Sequence, residues 1–203
     1  GIEANTRKTP DYRGIELKSK RWQRGSQLQT LFAKSPDWER SALNAHQMLK
    51  AFGYSKDGRL QLYCTVGPSP NTLGLRSTTN DASNTYEVQG KTGDTWESAH
   101  LWSTSILETA LVRKHQETFW VEALTQRSPS GREEFHYFRA VHTQQPLAGN
   151  LTTLLEIGKV TLDYTLSERQ NGTVRDHGYL FRMKDADRDL LFPRPVEHDL
   201  RAA

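Results

Sequence analysis

The strongest constraint on the fold is a β-hairpin signal near the C-terminal end of the sequence. Asn171-Gly172 lies between two runs, residues 160–168 and 173–184, that we expect to form the two arms of a hairpin. Asn-Gly is the pair favoured in two-residue hairpin turns, because both positions need a positive φ. The sequence therefore predicts two long antiparallel strands here, and a sheet as the main element of the fold.

Alternating or short apolar runs elsewhere predict further strands. These runs are rich in Val, Thr, Tyr and Phe, which fit a pleated, half-buried surface. We expect strands at residues 27–33, 59–66, 118–125 and 134–141, and a hairpin or a pair of short strands at residues 10–22.

Two longer segments have the spacing of amphipathic helices. Residues 36–52 lie between Ser35, a favoured N-cap, and Gly53, a favoured C-cap. In residues 95–115 large apolar residues recur four apart, which predicts a second helix. A short helix is expected at residues 147–157, and residues 67–84 are expected to be a loop with a short strand at residues 72–77.

The composition indicates one globular domain outside the membrane. A chain of 203 residues suits a single domain, and five Trp, seven Tyr and seven Phe can supply its core. No apolar run approaches the ~18–20 residues that span a bilayer, and no signal segment opens the chain, so we expect a cytoplasmic protein. The single cysteine, Cys64, excludes a disulfide framework.

The charge distribution permits contact with nucleic acid. The net charge is +3, and residues 1–30 carry seven Lys and Arg against three Asp and Glu. Cys and His do not recur at the spacing of zinc ligands, and the glycine-rich motifs of nucleotide-binding loops are absent from the sequence. Zinc chemistry and nucleotide-driven chemistry are therefore disfavoured.

The basic N-terminal region contains a candidate metal site. Pro10-Asp11 is followed by Glu16-x-Lys18, and the strand period places Glu16 and Lys18 on one face. Two carboxylates can hold a hard divalent cation such as Mg²⁺, and a lysine beside them can hold the attacking water and neutralise charge on a phosphate. The pattern therefore has the residue types needed for phosphodiester hydrolysis.

The spacing alone favours a plainer interpretation of this segment. Glu16 and Lys18 would then be the solvated face of an edge strand, since Asp and Glu-x-Lys often occur together by chance in a chain with 25% charged residues. The context favours the chemical interpretation, because Gly14 permits a turn and Ile15 and Leu17 alternate with the charged residues. A turn at Gly14 would bring Asp11 towards Glu16.

The active-site segment also resembles a known family. Residues 1–5 and the run Pro10-Asp11-Tyr-Arg-Gly-Ile-Glu16-Leu-Lys18-Ser resemble the active-site region of the MvaI/BcnI family of type II restriction endonucleases, which are relatives of the mismatch-repair nicking enzyme MutH. The similarity continues at Leu31-Phe32, Gly53-Tyr54, Leu62-Tyr63, residues 174–178 and Phe181-Arg182.

This resemblance implies a fold, an activity and a cofactor. The fold is the α/β (α+β) PD-(D/E)xK nuclease fold, a mixed β-sheet flanked by helices with a cleft for double-stranded DNA. Asp11 and Glu16 match its metal-binding carboxylates and Lys18 its catalytic lysine, with Mg²⁺ as cofactor and Mn²⁺ as a substitute. Because the relatives act as monomers, the resemblance implies a monomer.

The resemblance also raises a question about the start of the chain. The relatives have a helix before the motif that contributes an acidic residue, and this chain begins too late to contain it. Either Glu3 takes that role, or the sequence is a fragment of a longer chain that supplies the helix. We expect one nuclease domain over residues 1–203, with a catalytic part at about residues 1–66 and a recognition part at about residues 118–190.

The C-terminal hairpin is the candidate for reading DNA bases. Asp can accept from the cytosine amino group and Arg can form paired hydrogen bonds with guanine, whereas a polar hairpin or an Arg-Asp pair that orders a turn is the plainer interpretation. Other basic residues suit phosphate contacts, which position the protein without specifying sequence. The predicted base contacts are Arg175, Asp176, His177 and Arg182, and the predicted phosphate contacts are Arg21, Arg24 and Lys34.

These observations together predict a sequence-specific, Mg²⁺-dependent DNA endonuclease of the type II restriction class. Two alternatives stay open from the sequence alone. One is a MutH-like mismatch-repair nicking endonuclease, which would depend on an activating partner protein. The other is a non-catalytic, sequence-specific DNA-binding domain.

Overall fold

The computed structural model describes residues 10–201, and these residues form two compact units that alternate along the chain. The first unit takes its described residues from segments 1–27, 111–148 and 185–203, and the second consists of segments 28–110 and 149–184. Whether the whole chain acts as the single nuclease domain that we expect stays a prediction.

The first unit is built on a four-stranded sheet. The strands are β1 (Ile15–Arg21), β8 (Glu117–Arg127), β9 (Glu133–Gln144) and β12 (Val196–Asp199), in the spatial order β1-β8-β9-β12. The edge strand β1 runs parallel to β8, whereas β8 with β9 and β9 with β12 are antiparallel. Register places Glu16 opposite Thr118 and Lys18 opposite Trp120.

The core of the first unit is aromatic. Trp120 and Phe192 are buried and pack edge to face, and His115 stacks on Trp120 with ring centroids 5.5 Å apart. A 3₁₀ helix, Asp185–Leu190, precedes Phe192, and its Arg188 lies over the Trp120 ring. This packing holds β8, the strand that pairs with β1.

The second unit contains two sheets and its helices. The five-stranded sheet has the order β2 (Leu28–Ala33), β11 (Val174–Lys184), β10 (Val160–Glu168), β4 (Arg59–Val66) and β3 (Tyr54–Lys56). The three-stranded sheet is β5 (Leu75–Asn80), β6 (Thr85–Thr92) and β7 (Thr95–Ser103). The helices are α1 (Ala45–Phe52) and α3 (Leu151–Glu156), with a short 3₁₀ turn at Ala148–Asn150, while α2 (Thr104–Lys114) has residues in both units.

Aromatic contacts join the two sheets of this second unit. Tyr86 and Trp102 of the three-stranded sheet contact Phe181, which stacks on Phe32 with centroids 4.9 Å apart. The buried His100 exchanges a 2.8 Å hydrogen bond with the Tyr164 hydroxyl. Through these contacts β10 and β11 pack against the three-stranded sheet.

Most of the predicted strands are confirmed. The hairpin around Asn171-Gly172 forms as β10 and β11, and β4 has the bounds expected for residues 59–66. Strands at residues 27–33, 118–125 and 134–141 are β2, β8 and β9 with small shifts of their ends, and the helix near residues 147–157 is α3.

The predicted helix at residues 36–52 was wrong in its first half. The helix begins at Ala45, because Asn44 accepts a hydrogen bond from the Gln47 amide while the Gln47 side chain accepts one from the Asn44 amide. This capping box satisfies two donors at the helix start. Residues 37–41 form a turn instead, in which the Ser41 amide and hydroxyl both bond to the Asp37 carbonyl.

The predicted helix at residues 95–115 was also wrong in its first half. Residues 95–103 form β7, which pairs with β6 across a turn at Gly93, and only residues 104–114 are helical as α2. The four-residue spacing that predicted a helix crosses this junction, since Trp102 lies on the strand and Ile106 on the helix. Strand pairing therefore overrode local periodicity.

No helix among residues 10–201 is long and apolar enough to cross a membrane.

Candidate active site

A tight turn brings Asp11 to the strand that carries Glu16 and Lys18. Tyr12 and Ile15 exchange two backbone hydrogen bonds of 2.9 and 2.8 Å, and the residues between them, Arg13 and Gly14, both have positive φ. Glycine adopts that conformation without strain, whereas Arg13 does so at a cost. Because the chain turns back here, the Asp11 carboxylate lies against β1 and accepts a 3.0 Å hydrogen bond from the Leu17 amide.

The charged face of β1 is the buried face. Glu16 is only 1% exposed, whereas Leu17 on the opposite face is 43% exposed. The interpretation of Glu16 as part of a solvated strand face is therefore wrong. The edge strand β1 therefore buries a carboxylate and exposes a leucine. Burial of apolar surface alone would give the opposite arrangement.

Two lysines neutralise the buried Glu16 carboxylate. Lys18 Nζ lies 2.8 Å from one carboxylate oxygen, and Lys114 Nζ lies 2.8 Å from the other. Burial of an unpaired carboxylate is costly, so each ammonium group offsets part of the desolvation. Lys114 is the last residue of α2, and the sequence did not distinguish it because a basic residue at a helix end is a common capping feature.

A second group of ion pairs continues along the same face of β1. Lys20 contacts Glu122, at 3.0 Å, and Asp185. Burial alone would raise the pKa of Asp185, but hydrogen bonds from Lys20, Ser26 and the Gln27 amide outweigh it and lower this pKa to about 2. These contacts tie the C-terminal end of β1 to the segment that follows β11.

The donor atoms beside β1 suit a hard divalent cation. Asp11 and Glu16 offer carboxylate oxygens, and Mg²⁺ in proteins is commonly held by one or two carboxylates together with water and substrate phosphate. Within residues 10–201 no group of three or more His, Cys, Asp or Glu side chains has metal-site geometry. Glu3, one of the two alternatives for the source of a further acid, lies outside the described residues.

The residues predicted to read bases lie on an irregular part of β11. Tyr164 pairs with Tyr179 and Leu166 with Asp176, so two residues, His177 and Gly178, face one on β10. This is a β-bulge, and such bulges redirect side chains. Gly178 has φ of +117°, and its amide donates a 2.6 Å hydrogen bond to the Asp176 carboxylate.

The bulge exposes the predicted base contacts. Arg175, Asp176 and His177 are all exposed, and the His177 ring lies 6.3 Å from the Tyr63 ring on β4. Arg182 differs, because its guanidinium donates to Asp163 at 2.6 Å and to the Leu28 carbonyl at 3.1 Å. The structure therefore groups residues 175–177 on an accessible surface, and it holds Arg182 in a contact within the sheet.

The predicted phosphate contacts have different surroundings. Arg24 is exposed, Arg21 is exposed but paired with Glu133 at 2.8 Å, and Lys34 is half-buried with its carbonyl accepting from the Trp102 indole. Arg21 and Arg24 belong to the first unit, and Lys34 belongs to the second. Their roles towards DNA stay predictions.

Comparison with known proteins covers almost the whole chain. The model of the MvaI/BcnI restriction endonuclease family matches residues 1–192. A solved complex of the restriction endonuclease MvaI with cognate DNA substrate has a TM-score of 0.79 and 19% identity, over 97% of this chain and 82% of that chain. MvaI in the absence of DNA has a TM-score of 0.63 and 20% identity, over 93% of this chain and 80% of that chain. No curated protein matches.

These matches and the β1 site define a site-specific deoxyribonuclease with the restriction-endonuclease fold. The chain belongs to the MvaI/BcnI restriction endonuclease family. The predicted family, the mixed α/β (α+β) fold and the prediction of an enzyme are thereby confirmed. The alternative of a non-catalytic DNA-binding domain loses its support.

Proposed function

We propose that the chain is a sequence-specific, Mg²⁺-dependent endonuclease that hydrolyses phosphodiester bonds in duplex DNA. The observation that carries the proposal is the buried Glu16 carboxylate, which shares a strand face with Lys18 while Asp11 is hydrogen-bonded to the same strand. The MvaI complex contains a cognate DNA substrate, which supports duplex DNA as the substrate class.

In this proposal Asp11 and Glu16 hold the cation through their carboxylate oxygens. Bound Mg²⁺ supplies positive charge that stabilises the phosphate in the transition state. Glu16 suits this task because its burial and its ion pairs restrict it to one orientation. A ligand that is already oriented loses little conformational entropy when the cation binds.

Lys18 assists the attack on phosphorus. Its ammonium group lies beside Glu16, so it can donate hydrogen bonds both to the carboxylate and to the attacking water or a phosphate oxygen. The water oxygen forms the new bond to phosphorus and loses a proton to solvent, while one P–O bond of the backbone breaks and the leaving oxygen takes up a proton to become a hydroxyl. The lysine charge offsets the negative charge that accumulates on the phosphate oxygens.

Sequence reading is assigned to residues 175–177 in this proposal. The bulge at His177 and Gly178 keeps these side chains exposed on a rigid hairpin, and a supported site of this kind is what base recognition needs. Arg21, Arg24 and Lys34 contact phosphates, and Arg182 contributes indirectly by holding β11 to Asp163. The DNA-binding cleft, the monomeric state and the cytoplasmic location are parts of the same proposal.

A plasmid digestion tests the proposal. The purified protein is incubated with sequenced plasmid DNA in Mg²⁺, Mn²⁺ or EDTA, and the fragment ends are mapped. We expect cleavage at one short sequence with either metal and none in EDTA. Lys18→Ala should abolish cleavage, whereas Lys91→Ala, at an exposed lysine on β6, should not. Cleavage in EDTA, or cleavage only with a mismatch-repair activator, would contradict the proposal.

A further inference from the structure

Lys114 is the residue in the site that no sequence motif identified. We infer that Lys114 is a positioning residue, which orients the Glu16 carboxylate and balances the charge of the site. The inference rests on the proposed function, because it gives Glu16 the role of a metal ligand. Its geometry is independent of that role, since the 2.8 Å contact joins Lys114 Nζ to the Glu16 oxygen that Lys18 does not contact.

The end of α2 is fixed at the position that Lys114 needs. The next residue, His115, is completely buried, and its amide donates to the Leu111 carbonyl at 2.9 Å. Its ring stacks on Trp120 and is 2.9 Å from the Thr118 hydroxyl. Thr118 is the register partner of Glu16 across β1 and β8. The residue that follows Lys114 is therefore anchored to β8, at the position where β8 pairs with Glu16 of β1.

The two lysines contact different oxygens of the Glu16 carboxylate. Lys18 lies on the same strand as Glu16, with its side chain 25% exposed, whereas Lys114 approaches from the helix with its side chain only 15% exposed. A strand neighbour that must also serve the phosphate cannot hold Glu16 in place throughout the reaction. Lys114 can, because its contact with one oxygen leaves the other oxygen free to exchange partners.

Charge balance gives a second consequence of this arrangement. Among the described residues beside β1, Asp11 and Glu16 contribute negative charge, and Lys18 and Lys114 contribute positive charge. Removing the Lys114 charge makes the site more negative, so it attracts cations more strongly. It also frees one oxygen of a buried carboxylate, so the ligand is less well oriented. Metal affinity and cleavage rate should therefore move in opposite directions.

This opposition separates positioning from a merely structural role. The variant Lys114→Met is compared with wild type by titrating Ca²⁺ calorimetrically without DNA, and by single-turnover cleavage at saturating Mg²⁺. We expect Ca²⁺ to bind about threefold to tenfold more tightly to the variant. We expect its cleavage rate to fall about 10- to 100-fold, as when residues that orient metal ligands are changed.

Two further variants serve as controls. Lys114→Arg keeps the charge and should bind Ca²⁺ within about twofold of wild type, while it recovers part of the cleavage rate. Arg113→Met removes the same charge from the same turn of α2 at an exposed position, and should change neither measurement. If Lys114→Met does not fold, Lys114→Gln carries the same expectations.

The outcomes separate this inference from the proposed function. If Lys114→Met matches wild type in both measurements, the inference is wrong while the proposed function stands. Weaker Ca²⁺ binding in both Lys114→Met and Lys114→Arg, together with a lowered melting temperature, would mean a structural role and would also overturn the inference. If wild type neither binds Ca²⁺ nor cleaves DNA, the proposed function fails first and the inference with it.

Discussion

Glu16 and Asp176 carry the same chemical group in opposite surroundings. Glu16 is 1% exposed and each of its carboxylate oxygens is 2.8 Å from a lysine ammonium. Asp176 is exposed on the hairpin, and one of its oxygens accepts from the Gly178 amide. His100 and His177 repeat this contrast in the second unit, since His100 is buried in the aromatic core and His177 is exposed.

The contrast shows that metal binding and base recognition need side chains in different surroundings. A group that holds a metal gains from burial, because low dielectric and fixed partners orient it before the substrate arrives. A group that reads bases must keep donors and acceptors accessible, and it needs rigidity from the backbone beneath it. The pairing of β10 with β11 supplies that backbone support, and the bulge at His177 and Gly178 redirects the side chains without covering them.

The largest effect is expected from the buried carboxylate. Glu16→Gln keeps the shape but removes the charge between Lys18 and Lys114, so cleavage should fall by about 10³-fold or more. Stability should also fall, by about 3 kcal/mol, because two partly buried ammonium groups lose their counter-charge. Single-turnover cleavage and denaturant unfolding measure the two effects.

The matched control for this prediction is an exposed glutamate in the same unit. Glu133→Gln removes an acid whose pairing with Arg21 is solvent-exposed, so stability should change by less than about 1 kcal/mol and cleavage hardly at all. Equal effects of the two variants would show that burial is not what distinguishes Glu16.

The buried His100 gives the next largest effect, which appears as a dependence of stability on pH. Burial lowers the pKa of His100 to about 4, so between about pH 6.5 and 4 the unfolded chain binds a proton that the folded chain does not. His100 therefore destabilises the fold as pH falls through this window, by up to about 3 kcal/mol.

A comparison of wild type with a variant that lacks the imidazole isolates the contribution of His100 to stability. Stability is measured by denaturant unfolding at intervals from pH 7 to pH 4. His100→Gln, which does not titrate, should lose less stability across this window than wild type does, although it starts from a lower value because the hydrogen bond to Tyr164 changes. The same curve for wild type and His100→Gln would argue against this assignment.

The sequence predicted much of this arrangement, and the same contrast explains where it failed. Alternation correctly placed Glu16 and Lys18 on one strand face, but it could not tell which face was buried. On β1 ion pairs replace the apolar core, so Leu17 is exposed against the usual pattern. Lys114 was invisible because its contact with Glu16 depends on packing between residues far apart in the sequence.

Local signals also explain which elements were misread. Asn171-Gly172 predicted the position of its hairpin correctly, but the connection is longer than a two-residue turn. Only Gly172 has a positive φ, and its amide donates a 2.9 Å hydrogen bond to the Arg169 carbonyl. The beginning of α1 and the strand β7 were missed because both depend on competition. Asn44 with Gln47 capped the helix better than Ser35 with Pro36, and pairing with β6 outweighed the helical spacing of residues 95–103.

The exposed hairpin predicts a smaller effect of a different kind. Asp176→Asn and His177→Ala should each reduce cleavage of the cognate sequence about 10- to 100-fold, as expected for loss of one base contact worth about 1–3 kcal/mol. Because both residues are exposed, stability should change by less than about 0.5 kcal/mol. Competition between cognate and mismatched duplexes provides the measurement, with Gln170→Ala at the exposed turn as control. A loss of cleavage on all sequences alike would speak against base reading.

The smallest effect is expected at the phosphate contacts, and it refines the contrast between paired and unpaired charges. Arg24 is exposed and forms no ion pair within residues 10–201, whereas Arg21 is paired with Glu133. Arg24→Ala should therefore reduce the slope of log Kd against log salt by about one, with weakening that is uniform across sequences. Arg21→Ala should change the slope less, because Glu133 already neutralises part of its charge. Filter binding over a series of NaCl concentrations measures both slopes, and a larger change for Arg21 than for Arg24 would mean that Arg21 leaves Glu133 when DNA binds.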